Sequence, residues 1–255
     1  MTPLENILRK NQQHFAPVIR FDGTRQKLAP LDLTEKNNEL DERIYGDTAA
    51  FCSYIDGLRK RNHADYLVGG YNELRVVYGR SELFSTDKSA QYSRDQEGNQ
   101  SSVGIFHGES TEPRRLHIGT DIWAEAGTPV FAFTNGTIHS FAFNDHYGDY
   151  GATLILAHEV EGISFHTLYG HISLDDIADT RVGDAVLRGQ EIAHFGELHE
   201  NGHWPPHLHF QVIQDMGFFE GDYPGVCRYS EREKYLANCP DPDLILQLNK
   251  SLTYP

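Results

Sequence analysis

The chain has 255 residues, with 37 Asp and Glu against 22 Lys and Arg, and a formal charge of −15 at neutral pH. That length gives one large domain or two small ones, with a core that needs no disulfide framework. The acidity argues against nucleic-acid binding through phosphates and against docking on anionic lipid. No apolar run approaches the ~18 residues needed to cross a bilayer. No nucleic-acid or membrane partner is therefore expected, and the oligomeric state stays open.

The N-terminal stretch lacks the apolar segment of a secretory leader. This predicts a cytoplasmic location, or an extracytoplasmic one if a leader has been trimmed. Residues 6–15 and 47–61 carry apolar side chains at helical spacing, and Asp47 suits an N-cap. Residues 31–42 are charged and compatible with a short helix. Residues 66–78 mix alternation with a Gly-Gly break, which suits a bent strand or a loop between strands. Residues 86–104 are polar and without period, the pattern of a long loop or linker.

From residue 106 onward, short β-type runs recur at 129–133, 136–143, 152–158, 163–169 and 207–213. They are separated by Gly-, Asn- and Asp-containing turns, and Glu161-Gly162 fits a hairpin turn. The pattern predicts an antiparallel β domain rather than alternating βαβ units. An irregular tail follows, with one short helix near 244–248. The fold class expected is α+β, with three regions: a mixed, partly helical part over 1–103, a β-rich domain over 104–215 and an extension over 216–255. Cys52, Cys227 and Cys239 are odd in number and widely spaced, so they read as free thiols rather than a disulfide or thiolate-zinc framework.

Twelve of the fourteen histidines fall between His107 and His209. On a strand, His207, His209 and Gln211 share one face and Leu208, Phe210 and Val212 the other. The second set suits a core, which leaves two imidazoles side by side opposite it. In His117-Ile118-Gly119-Thr120-Asp121, residues 117, 119 and 121 also share a face, and the glycine leaves a gap between imidazole and carboxylate. A third histidine, His171, ends the run Thr167-Leu168-Tyr169-Gly170. Two or three imidazoles with one carboxylate form the N/N/O donor set of a catalytic zinc site with an open position. Strand geometry lets both His207 and His209 reach one centre and does not choose between them.

His-x-Gly-x-Asp, then Tyr-x-His, then His-x-His-Phe, in this order, resembles the lysostaphin/LytM-type zinc metallopeptidases. The stretches around Gly127-Thr128-Pro129-Val130 and Val182-Gly183-Asp184 match that family too, so the likeness spans roughly residues 104–215. The resemblance implies Zn²⁺ held by His117, Asp121 and His209, with His171 and His207 as the catalytic pair beside a metal-activated water. It implies hydrolysis of an amide bond in peptidoglycan-type peptides, one of the two histidines titrating near neutrality and shuttling a proton. The approach to His207, residues 196–206, departs from the family's small-residue pattern. His199, Glu200, His203 and Trp204 would border and narrow the cleft, which favours a small or unusual substrate. A run within this approach also resembles, more weakly, a peptidase-like module joined to aminotransferase and kinase domains. Two alternatives follow: a cytoplasmic metal-dependent hydrolase of a small amide or amino compound, and a non-catalytic binding relative. His158 and His166 read as structural or cleft-lining, and His107, His139, His146 and His194 as surface or supporting residues. The N-terminal part is a candidate inhibitory cover, so that removing residues 1–100 would raise activity.

Overall fold

The computed structural model describes residues 1–85 and 112–252, with two short paired strands, Tyr92–Arg94 and Gln100–Ser102, between them. The rest of the expected 86–104 linker lies outside the described residues. Eight strands form the main sheet: β1 (Leu28–Leu31), β2 (Tyr66–Gly69), β3 (Thr120–Trp123), β4 (Gly136–Asn144), β5 (Gly151–Val160), β6 (Ile163–Ile172), β7 (Ala185–Val186) and β8 (His207–Ile213). Their spatial order is β1-β2-β3-β8-β6-β5-β4-β7. Only β1 and β2 run parallel; every other neighbouring pair is antiparallel. The α+β class and the β-rich domain are as the sequence predicts. The sheet, however, takes strands from both sides of residue 104.

β5 and β6, the two longest strands, form a hairpin that turns at Glu161-Gly162, both with positive φ (49° and 79°). Glycine takes that conformation without cost, whereas Glu161 pays for it. In β8 all seven residues are buried. Leu208, Phe210 and Val212 enter the main core with Leu154, Phe165 and Tyr169. Burying each such side chain contributes roughly 1.5–3 kcal/mol. His207, His209 and Gln211 face the other way, His207 against Trp123 and Trp204, and Gln211 against Pro224 and Cys239 of the C-terminal segment. All three cysteines are free.

Helix α1 (Pro3–Asn11) begins earlier than the periodicity suggests. Thr2 and Glu5 form a capping box, and Pro3 occupies the first turn, where its missing N–H is harmless. Helix α2 (Thr48–Asn62) is capped by Asp47, whose side chain accepts from the Ala50 amide, as expected. The helix considered for 31–42 does not form there. Asp32 and Asn37 instead make local side-chain turns, and a four-residue helix starts later, at Glu42, behind its cap Asp41. Residues 66–78 resolve into β2, a turn, the short strand Glu73–Leu74 and a 3₁₀ turn from Val77. The late helix is one turn, Asp243–Leu246. Among the described residues no helix is long and apolar enough to cross a membrane.

Candidate metal centre

Strand register brings the separated motifs together. Asp121 on β3 pairs with His209 on β8, and Gly170 on β6 pairs with His209 from the other side. His117 sits on a two-residue strand, Leu116–His117, that pairs with Val226–Cys227 and with Glu73–Leu74. His117 Nε2 lies 2.9 Å from His209 Nδ1 and 3.2 Å from Asp121 Oδ1. His209 Nδ1 lies 3.0 Å from that same oxygen. Three atoms bound about 2.0–2.1 Å from a tetrahedral ion would be about 3.3 Å apart, so the triangle is close to the size a zinc ion requires. Among the described residues, this is the one group of three or more His, Cys, Asp or Glu side chains compact enough to hold a metal. The donor set therefore fits the ion.

Each donor is oriented by what its other polar atom does. His117 Nδ1–H donates to the Gly70 carbonyl at 3.0 Å, leaving Nε2 bare. His209 Nε2–H donates to Gln211 Oε1 at 2.9 Å, leaving Nδ1 bare. The Gln211 amide is fixed in that sense because its nitrogen donates to Pro224 O. The second Asp121 oxygen accepts from Arg75 Nη1 at 2.5 Å. Such partners set the tautomer and aim of a metal ligand.

Gly119 is required by space, as the gap in His117-x-Gly119-x-Asp121 suggests. A Cβ there would overlap His209 Cε1 and Nε2. Gly119→Ala is expected to push the His209 ring aside and to weaken zinc binding measured by chelator competition. Parent-like affinity in a folded G119A protein would count against this packing argument.

His171 and His207 stand beside the triangle, with ring centroids 4.1 Å apart. His207 stacks on Trp123 at 3.9 Å and 12°. Both are held in one tautomer: His207 Nδ1–H donates to Pro205 O at 2.8 Å and His171 Nδ1–H to Asn201 O at 2.9 Å. Both Nε2 atoms are thus left as acceptors. His171 has φ +62°, in the left-handed region that few non-glycine residues adopt.

Electrostatics hold the cluster in one charge state. Burial pushes His207 and His117 down to about 4. His171 is pushed down by burial and by the neighbouring His207 and His209. Burial would raise Asp121, but His117 and Arg75 outweigh it and hold the carboxyl well below its usual range. Neutral imidazoles beside an ionised carboxylate are the forms that bind a divalent cation. Where the sequence suggests a histidine titrating near neutrality, desolvation in the metal-free fold keeps this pair neutral in the physiological range.

Glu200, Asn201 and Trp204 of the approach loop are buried. Asn201 is fully buried; its side chain bonds Gly196 O, Trp204 O and the Trp204 amide, while its carbonyl orients His171. Glu200 accepts from Ser173, Leu174 and Glu197, so it clamps the loop instead of lining a cleft. Trp204 is buried against Phe51, Tyr78 and the Arg80 guanidinium. His203 tilts over Tyr147, 5.7 Å away. His158 is a core residue satisfied by Asn135 O and Thr167 Oγ1. His139 and His166 pair with each other, and His194 pairs with Asp176. His107 lies outside the described residues. Gly70, Arg75 and Asn201 carry no motif signal, because backbone acceptors and partners distant along the sequence leave no local spacing pattern.

Three donors thus converge on one point of an antiparallel sheet, with two imidazoles presented alongside. Residues 115–219 match the model of peptidase family M23. The match covers under half of the chain. Among solved structures, the catalytic domain of the antimicrobial peptidase lysostaphin from Staphylococcus simulans is 26% identical, with 47% of this chain and 80% of that one covered and a TM-score of 0.33. The catalytic domain of the prophage-encoded M23 protein EnpA from Enterococcus faecalis is 19% identical over 52% and 83%, with a TM-score of 0.31. A zinc-containing peptidase from Vibrio cholerae is 22% identical, with a TM-score of 0.30; the alignment covers 52% of this chain and 34% of that one, so the chain spans about a third of that protein. Comparison with curated proteins gave no match.

Proposed function

We propose that the chain is a zinc-dependent metallopeptidase that hydrolyses an amide bond of peptidoglycan-type peptides. The observation that carries this reading is the triangle of His117 Nε2, Asp121 Oδ1 and His209 Nδ1, with every remaining polar atom of those side chains already partnered. His117, Asp121 and His209 would hold the ion. Bound there, it would supply Lewis-acid polarisation of a carbonyl and acidify a water.

His171 and His207 handle the proton. Each is neutral, each has a bare Nε2, and each has its Nδ1–H anchored on a backbone carbonyl, so neither spends ordering energy during turnover. A proton accepted at Nε2 makes the ring a donor to developing negative charge or to the departing amine. The Trp123 face beneath His207 favours the protonated ring at that moment. The two histidines are close enough to divide the roles of acceptor and donor.

The test combines metal content with turnover. The parent protein is expected to bind one zinc per chain and to cleave glycine-rich or peptidoglycan-derived peptides. His117→Ala is expected to lose the metal. His171→Ala and His207→Ala are expected to keep it and to lose activity by about 10²–10⁴-fold. A His207→Ala protein with the parent's rate would remove the histidine pair from the reaction. Cleavage confined to small amides, in a panel with glycine-rich peptides and peptidoglycan fragments, would replace the proposed substrate class.

A further inference from the structure

The family model begins at residue 115, yet two of the three donor side chains are held by residues far upstream. The turn after β2 supplies both supports. Gly70 O accepts from His117 Nδ1 at 3.0 Å, and it also accepts from Arg75 Nη2 at 3.1 Å. Arg75 is 2% exposed, and its guanidinium spans three acceptors: Asp121 Oδ2 at 2.5 Å, Glu73 Oε2 at 2.7 Å and Gly70 O. The backbone fixes the same geometry. Gly69 pairs with Asp121 across β2 and β3, Glu73 pairs with His117, and the Arg75 amide donates to Arg115 O. Gly69 must be glycine here, since a Cβ would come within 2.7 Å of Arg75 Nη2.

We propose that residues 69–75 are an integral half of the metal centre and that Arg75 is the positioning residue for Asp121. This rests on the reading of His117, Asp121 and His209 as metal ligands. By occupying Oδ2, the guanidinium leaves Asp121 one oxygen, Oδ1, to offer, and aims it between His117 Nε2 and His209 Nδ1. A carboxylate free at both oxygens can turn or bind in a two-oxygen mode. The guanidinium charge also partly offsets the Asp121 charge, which leaves a bound cation more electron-poor. Lysine cannot reproduce the fork, because an ammonium has no planar donor set to span three acceptors at once.

The experiment uses the full chain with Zn²⁺ and Co²⁺ as probes. Variants are Arg75→Met, Arg75→Lys and the double variant Arg75→Met/Glu73→Gln, which removes the carboxylate that R75M would leave buried and unpaired. Phe51→Leu serves as a control that loosens the same N-terminal layer without touching the centre. Expected for R75M and for the double variant is zinc affinity weaker by about 10–100-fold. The visible spectrum of the Co²⁺ form should change as Asp121 alters its binding mode, with R75K between them and the parent. F51L should lower the melting temperature and leave the Co²⁺ spectrum unchanged. Folded R75M and double variants with the parent's zinc affinity and Co²⁺ spectrum would overturn the role of Arg75 while leaving the site itself standing. A spectrum that shifts equally in F51L would reduce Arg75 to general packing and also overturn it. A parent protein that binds no metal would overturn the site and this inference together.

Discussion

A chain starting at residue 104 is expected to fail to fold cooperatively and to bind no zinc. Removal of the N-terminal part does not uncover a finished site; it takes away part of the molecule that makes one. Strands β1 and β2 would be lost from the main sheet, baring the edge of β3 that carries Asp121. Ten of the thirteen residues in the core cluster around Phe51, Leu67 and Tyr78 lie before residue 104. The remaining three include Trp123, the ring beneath His207, and Trp204. With those ten gone, the apolar faces of Trp123, Trp204 and Val226 would be left open to water. The hydrogen bonds from Gly70 and Arg75 go at the same time. Circular dichroism melting and zinc binding of the truncated chain check this. A soluble truncate with a sharp transition and raised hydrolysis would restore the inhibitory-cover reading and sink the present one.

The sequence carried the site better than its supports, for a physical reason. A period of two on β8 separates His207, His209 and Gln211 from Leu208, Phe210 and Val212 without any tertiary knowledge, and the core contains the second set. Gly119 was legible as a gap because a donor on each side needs room. The convergence of these motifs at one point was foreseen through the family resemblance, and strand register now places the side chains there. What stayed illegible acts through the backbone or across long sequence separation. Gly70, Asn201 and Pro205 serve by their carbonyls, which every residue type possesses. Arg75 reaches Asp121 across 46 positions, in a segment that reads locally as an interrupted strand. Helix α1 starts three residues ahead of the apolar spacing because Thr2-Pro3 and Glu5 set its boundary. The absence of a helix over 31–42 follows from Asp and Asn side chains competing for backbone amides.

Acid is expected to unfold the metal-free protein in a window set by its buried histidines. Burial lowers His117, His158 and His207 to about 4, whereas an unfolded histidine titrates near 6.5. The folded-state values are depressed, so below pH ~6.5 the unfolded chain takes up protons that the folded chain refuses until pH ~4. Stability is therefore complete above ~6.5 and falls as pH drops through this interval, by up to about 1.4 kcal/mol per pH unit for each histidine. Asp149 works in the opposite sense. Burial and the nearby Asp222 raise its carboxyl to about 7, so folding takes up a proton there as pH falls and offsets about one histidine's share. His166 and His171 are lowered as well, and Glu73, Asp222, Asp241 and Asp243 are raised by burial in the same sense as Asp149, so the slope is a balance in which the histidine shifts are the larger. The melting temperature should be nearly level from pH 8 to 7 and drop steeply between 6 and 4.5. His158 isolates the effect because it lies in the core among Phe133 and Phe165, away from the metal centre. His158→Asn keeps a donor for Asn135 O and removes the titrating ring. It should melt lower than the parent at pH 7, where the Thr167 contact is lost, yet fall less on acidification. Added zinc should raise the parent's melting temperature at pH 7 and progressively less toward pH 5, as metal binding to deprotonated donors weakens in acid. A melting temperature that is the same at pH 7 and pH 5 without metal would show that these rings are not held neutral by burial.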